Sequence, residues 1–80
     1  MLMTKTIYTL ALNFNVRQQK AVCAYNGFSF SRQADGSHEI WENAKGDVIV
    51  LTQHLKGTTF ACICRKHKFV FVNKKGKKVY

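Results

Sequence analysis

No stretch of this 80-residue sequence approaches the roughly 18 consecutive apolar residues of a membrane-spanning helix. Its early apolar run, Ile7 to Leu12, is interrupted by Thr9 and lacks a small-x-small cleavage site, so no secretory signal is expected. Cysteine is limited to three residues, an odd number at spacings that make no disulfide framework, which points to reduced thiols and a cytoplasmic location. There is no low-complexity segment, no linker, no glycine-rich phosphate loop and no nucleophile elbow. Proline is absent, and acidic residues are scarce, four against 13 Lys and Arg. At 46% hydrophobic the composition is globular, yet a chain this short buries only about 60% of its unfolded surface. One soluble domain over residues 1–80, with a modest core, is the expectation.

What is present is positive charge, unevenly spread. The formal net charge is +9. Residues 1–34 carry four basic side chains and residues 53–80 carry eight, neither segment with an acid. Asp35, Glu39, Glu42 and Asp47 fall together in the centre, opposed there only by Lys45. A basic domain with a separate acidic stretch suits a polyanion, and nucleic acid is the commonest one in a cytosol.

Along the chain, residues 5–12 alternate as a weak strand or ordered arm. Asn15 and Gln18 form a capping-box pattern that predicts a helix from Val16 to about Asn26, with Gly27 as its left-handed cap. Phe28-Ser29-Phe30-Ser31-Arg32 alternates as a half-buried strand. His38 to Trp41 and Asp47 to Leu51 follow as further strands, after turns at Ala34–Ser37 and Asn43–Gly46. Thr58 or Thr59 is the expected cap of a second helix reaching about His67, with Phe60, Ile63 and Cys64 facing the core. Residues 69–80 read as a strand, a turn and a short return. The fold class is α+β: helix, three-stranded antiparallel sheet, helix, both helices on one face, with extra terminal strands possible at each end.

In this order, Asn26-Gly27-Phe28, Arg32, Gly36-Ser37-His38-Glu39-Ile40-Trp41, Val48-Ile49-Val50, His54 and Lys56-Gly57-Thr58 resemble the HicA toxin family. The resemblance covers roughly residues 16–69 and leaves 1–14 and 70–80 as arms. It implies a double-stranded-RNA-binding-domain-like fold and an endoribonuclease activity on mRNA that inhibits translation. It also implies a HicB-type antitoxin as partner and His38 as the catalytic histidine. The sequence departs from the family pattern at Thr52, where a proline is usual, in the short His54–Gly57 loop, and at Lys68, where a glycine is usual.

The chemistry agrees with that role. The 2′-OH of RNA attacks its own phosphate once a base takes its proton and an acid protonates the leaving 5′-oxygen, and neutral-pH histidine serves either step. His38 follows a glycine-bearing turn at a strand start, a rim position; taken without the resemblance it is an ordinary surface histidine. His54, just past the third strand, is the candidate second acid or base, or else a phosphate or loop contact. His67 reads as part of the basic surface. No metal is expected: Glu39 and Glu42 point to opposite strand faces, and Cys62 and Cys64 to opposite helix faces, so Cys62, Cys64 and His67 make no zinc set. No cofactor is expected either.

For RNA contact, the start of the second helix offers backbone N–H groups, with Lys56 and Thr58 there and Arg65, Lys66 and Lys68 read as flanking it. Arg32, Gly36 and Ser37 complete the candidate set, and Lys74, Lys75, Lys77 and Lys78 add affinity of a kind that salt screens. Trp41 and Phe30 sit at alternating strand positions, which favours core over base stacking. The alternative function is a non-catalytic RNA-binding module of the same fold. A third is a protein-interaction domain that pairs through its edge strands.

Overall fold

Asn15 opens the first helix as its sequence pattern predicts. Its Oδ1 accepts from the Gln18 N–H at 2.8 Å, and its own N–H donates to Gln18 Oε1 at 2.9 Å. Two N–H groups that a helix start leaves unpaired are thereby satisfied. Helix α1 spans Val16–Tyr25. It stops because Gly27, at φ 91°, turns the chain left-handed while its N–H reaches Ala24 O at 3.1 Å and Phe28 N–H reaches Cys23 O at 2.9 Å. Phe28 then enters the core.

The computed structural model describes residues 10–80. Beyond α1, strands β1 (Ser29–Gln33), β2 (Glu39–Glu42) and β3 (Val48–Leu51) form an antiparallel sheet in the order β1-β2-β3. Helix α2 (Gly57–His67) follows. Trp41 lies opposite both Phe30 and Ile49, and Glu39 opposite Leu51, so these five share one face. Trp41, Ile49 and Leu51 are buried there with Val22 and Cys23 of α1 and Phe60, Ala61 and Cys64 of α2. Val48 and Val50 point the other way and stay exposed. Both helices therefore cover one face of the sheet, as expected, and the other is open.

Strand β1 departs from its predicted half-burial. All five of its residues are exposed, including Phe30 at 52%. It is an edge strand, and a register shift between Phe30 and Arg32 leaves Ser31 out of the pairing, which breaks the alternation the sequence displays. Gln19, Val22 and Cys23 are the buried residues of α1, while Ala24 and Tyr25 face outward.

Neither Thr58 nor Thr59 caps α2; the cap position is Lys56, with no side-chain bond, and both threonines lie inside the first turn. The reason is non-local. Gly57 is pressed against the Leu12 backbone, where an added Cβ would strike the carbonyl oxygen and come within 2.9 Å of Leu12 Cα. The helix starts where it can meet the 3-10 helix Ala11–Asn13, whose Ala11 is fully buried. The strand expected over 5–12 is thus absent at its end, where residues 11–12 are 3-10 helical; residues 5–9 lie outside the described residues.

The carboxyl-terminal segment is not an appendage. Phe69 and Phe71 are buried, and Tyr80 and Phe14 stack with centroids 4.4 Å apart, beside Phe71. Asn26 fastens the segment by a two-way amide contact with Val70, donating to its O and accepting from its N–H, both at 2.9 Å. The possible extra strand reduces to a single bridge, Val72 with Lys78. Between them, Asn73-Lys74-Lys75-Gly76 repeats the turn of Asn43-Ala44-Lys45-Gly46. In each, the asparagine Oδ1 accepts from the N–H groups two and four residues on, and the glycine has positive φ. No helix among the described residues is long and apolar enough to cross a membrane.

Two stability outcomes follow from these backbone positions. Helix propensity alone favours Gly57→Ala by up to about 1 kcal/mol, but the steric conflict with Leu12 outweighs it, and a net loss of about 2 kcal/mol is expected in urea unfolding. Lys68 closes α2 at φ 55°, with its N–H on Arg65 O and that of Phe69 on Cys64 O, the geometry glycine supplies after α1. Lys68→Gly is therefore expected to raise stability by about 0.5–1 kcal/mol in the same measurement.

Candidate functional site

His38 stands at the entrance of β2. Gly36, at φ 61°, lets the chain reverse tightly enough for the His38 N–H to reach Asp35 O at 3.1 Å and for Ala34 N–H to reach His38 O at 2.8 Å. The histidine is exposed, as its rim position predicts. Because Glu39 pairs with Leu51, β2 begins at the end of the sheet where β3 finishes. The loop after β3 turns there, Leu55 N–H donating to Thr52 O at 3.2 Å, and carries the exposed His54. Both histidine loops thus belong to one end of the sheet. Lys56 and Thr58, two and four residues after His54, begin α2 at that end, and Arg32 lies one pairing step inward from Gln33–Glu39, on the uncovered face.

Arg65, Lys66 and Lys68 do not flank the start of α2. They occupy its last turn and cap, roughly 14–18 Å along the axis from Lys56. His67 between them is packed on Phe28, ring centroids 5.3 Å apart, and Phe28 precedes β1 at the opposite end of the sheet from His38. His67 is accordingly a half-buried partner of Phe28 and Phe69 and not part of the basic surface, because the Lys68 turn folds it back onto the core. Of the expected RNA-contacting residues, Arg32, Gly36, Ser37, Lys56 and Thr58 gather at the histidine end, and the three late in α2 form a separate patch. Trp41 is in the core and Phe30 is exposed, so the two do not share a role.

Several residues at the histidine end escaped the sequence reading. A half-open cleft of ≈ 640 Å³ lies between the first turns of α1, which present Arg17 and Lys20, and the two histidine loops, which present Ser37, Thr52 and Gln53. Glu39 lies in the same wall. Its carboxylate accepts from Trp41 Nε1 at 2.9 Å and from Lys20 Nζ at 3.0 Å, tying α1 to β2 beside His38. These bonds, the indole first and then the lysine, hold the carboxyl below its ordinary range. Gln19 braces the other loop: its Nε2 donates to Leu55 O and to Phe14 O, each at 3.3 Å, and its buried Oε1 has no partner among the described residues. A signal for Gln19 existed in its spacing, three and four residues before Val22 and Cys23. Nothing local signalled Arg17 or Lys20.

The three thiols are single groups in separate roles. Cys23 and Cys64 are buried, and desolvation pushes each up to about 12, leaving both protonated and unreactive, whereas Cys62 is exposed. Among the described residues, no three His, Cys, Asp or Glu side chains gather to hold a metal ion. Compared with known proteins, the chain matches no family model, no curated protein and no solved structure.

The Glu39 contacts predict a pH dependence. A carboxyl held below its unfolded value stabilises the fold at neutral pH and ceases to do so as pH falls through its folded titration. Glu39→Gln is expected to cost about 0.5–1 kcal/mol at pH 7, given a partly exposed pair, and close to nothing at about pH 2. Urea unfolding of both proteins at the two pH values reads the difference.

Proposed function

We propose that this chain is a HicA-like toxin, a metal-independent endoribonuclease that cuts mRNA in the cytoplasm, inhibits translation and is silenced by a HicB-type antitoxin. Its helix–sheet–helix layout is then that of a double-stranded-RNA-binding domain. The observation that carries the reading is the exposed His38, held by the Gly36 turn at the end of the sheet that also bears the His54 loop and the start of α2. The Gly-Ser-His order, the helix–strand–strand–strand–helix succession and the net charge of +9 support it.

In that reading RNA lies across the histidine end with its backbone drawn in by Lys56, Arg32 and the N–H groups at the start of α2. His38 serves as one proton-transfer group. As base it takes the 2′-OH proton while the oxygen attacks phosphorus; the 5′-oxygen then leaves with a proton from a second donor, for which His54, on the loop at the same end, is the candidate. Lysine and arginine balance the charge gained by the phosphoryl oxygens in the transition state. Lys66, Lys68 and the lysines of the carboxyl-terminal hairpin lie outside this site and add affinity without selecting sequence.

The test is incubation of a purified mRNA with the protein in EDTA, beside His38→Ala. Wild-type cleavage that falls by about 10²–10⁴-fold in the variant, with RNA affinity retained, is the expected outcome. RNA binding that weakens steeply with salt, but no cleavage by either protein, would leave a non-catalytic RNA-binding module. Absence of RNA binding at low salt would instead favour a protein-interaction domain.

A further inference from the structure

The cleft beside the histidine loops contains binding capacity that the fold leaves unused. Arg17, Ser37, Thr52 and Gln53 all line it, and none of their side chains forms a hydrogen bond or ion pair among the described residues. The other charged groups there, Lys20 and Glu39, neutralise each other at 3.0 Å. What remains is one guanidinium without a partner among the described residues, in a cleft that two hydroxyls and an amide also line. That combination matches a phosphate and the polar edge of a base, the two parts of a nucleotide.

Size and position agree. A volume of ≈ 640 Å³ falls within the range of about 300–1,000 Å³ typical of small-ligand sites. Ser37 and Glu39 of the wall bracket His38 in the chain, and Gln53 immediately precedes His54. A nucleotide seated in the cleft therefore touches both histidine loops, although neither His38 nor His54 is among the residues that line it. We propose that the cleft is a subsite for a single nucleotide of an RNA strand, its phosphate paired with Arg17 and its base edge met by Ser37, Thr52 and Gln53. This inference rests on the ribonuclease reading, and it supplies that reading with a source of sequence preference that the lysine-rich surface lacks.

Lys20 has a supporting part. Glu39 would repel a phosphate if it were unpaired, and the Lys20 ammonium together with the Trp41 indole holds it away from that role. Arg17 is left as the group that faces the ligand. It is exposed and in the first turn of α1, so its replacement leaves the core untouched.

The experiment is an NMR titration of the wild-type chain with each of the four nucleoside 3′-monophosphates, and with inorganic phosphate as a reference. Amide shifts are expected at Arg17, Ser37, Thr52 and Gln53, with unequal affinities among the four bases and weaker binding of phosphate alone. Arg17→Ala is expected to weaken nucleotide binding by about tenfold, the loss of one charge-assisted contact. Shifts confined to Lys74–Lys78 or to the last turn of α2, or wild-type affinity in Arg17→Ala, would overturn the subsite. RNA cleavage assayed on the same samples separates the two ideas. Cleavage with a silent cleft removes the subsite alone, and nucleotide binding in the cleft without cleavage removes the ribonuclease reading alone.

Discussion

Five residues cross from β3 to α2, and both ends of that crossing are held by close contact. Leu51 is buried at the end of β3, and Gly57 lies so near the Leu12 backbone that no side chain fits between them. The loop that carries His54 and Lys56 has little freedom as a result, and Gln19 reduces it further by bonding the Leu55 carbonyl from inside α1. The same approach of Gly57 to Leu12 brings the 3-10 helix against α2 and leaves Phe14 free to open an aromatic cluster with Phe60, Phe71 and Tyr80. The geometry of the histidine end therefore depends on a contact made by a glycine and a backbone.

Charge is distributed over this frame on rigid supports. The lysines of residues 74–78 belong to a hairpin whose tip is ordered by Asn73 and whose stem is anchored by Phe71 and Tyr80. The related turn at Asn43 uses the same bonds, but its fifth position is Asp47 where the other has Lys77. One backbone solution thus serves an acidic corner of the sheet and a basic projection. At the opposite extreme, Lys20 is bound to Glu39 and contributes structure instead of net field. Counting basic residues does not distinguish these cases; their partners do.

Legibility in the sequence followed the range of the interaction. The Asn15–Gln18 box, the Gly27 stop and the turns at Gly36 and Gly46 each depend on residues within five positions, and each formed where its pattern indicated. His38 at the strand entrance belongs to the same class. Thr58 and Thr59 had the chemistry of a helix cap but lost the position to a contact with Leu12, 45 residues away in sequence. Phe30 alternated correctly and still stayed exposed, because burial depends on what covers a strand: the helices cover Ile49 and Leu51 on β3, also an edge, and do not cover Phe30 on β1. Asn26 shows both ranges in one residue: it ends α1 locally and clamps Val70 from a distance.

The sequence by itself determined the succession of elements, the helix ends closed by their own side chains, the rim position of His38 and the excess of positive charge. These rest on short-range sterics and hydrogen bonding, which a neighbouring residue either supplies or does not. Only the tertiary structure decided that His67, at the end of α2, is packed on Phe28. It likewise decided that the carboxyl-terminal segment completes the core and that Arg17 faces a cleft beside the histidine loops. Those outcomes depend on how amphipathic surfaces settle against one another, a long-range balance of packing in which each residue's place is set by partners distant in the chain.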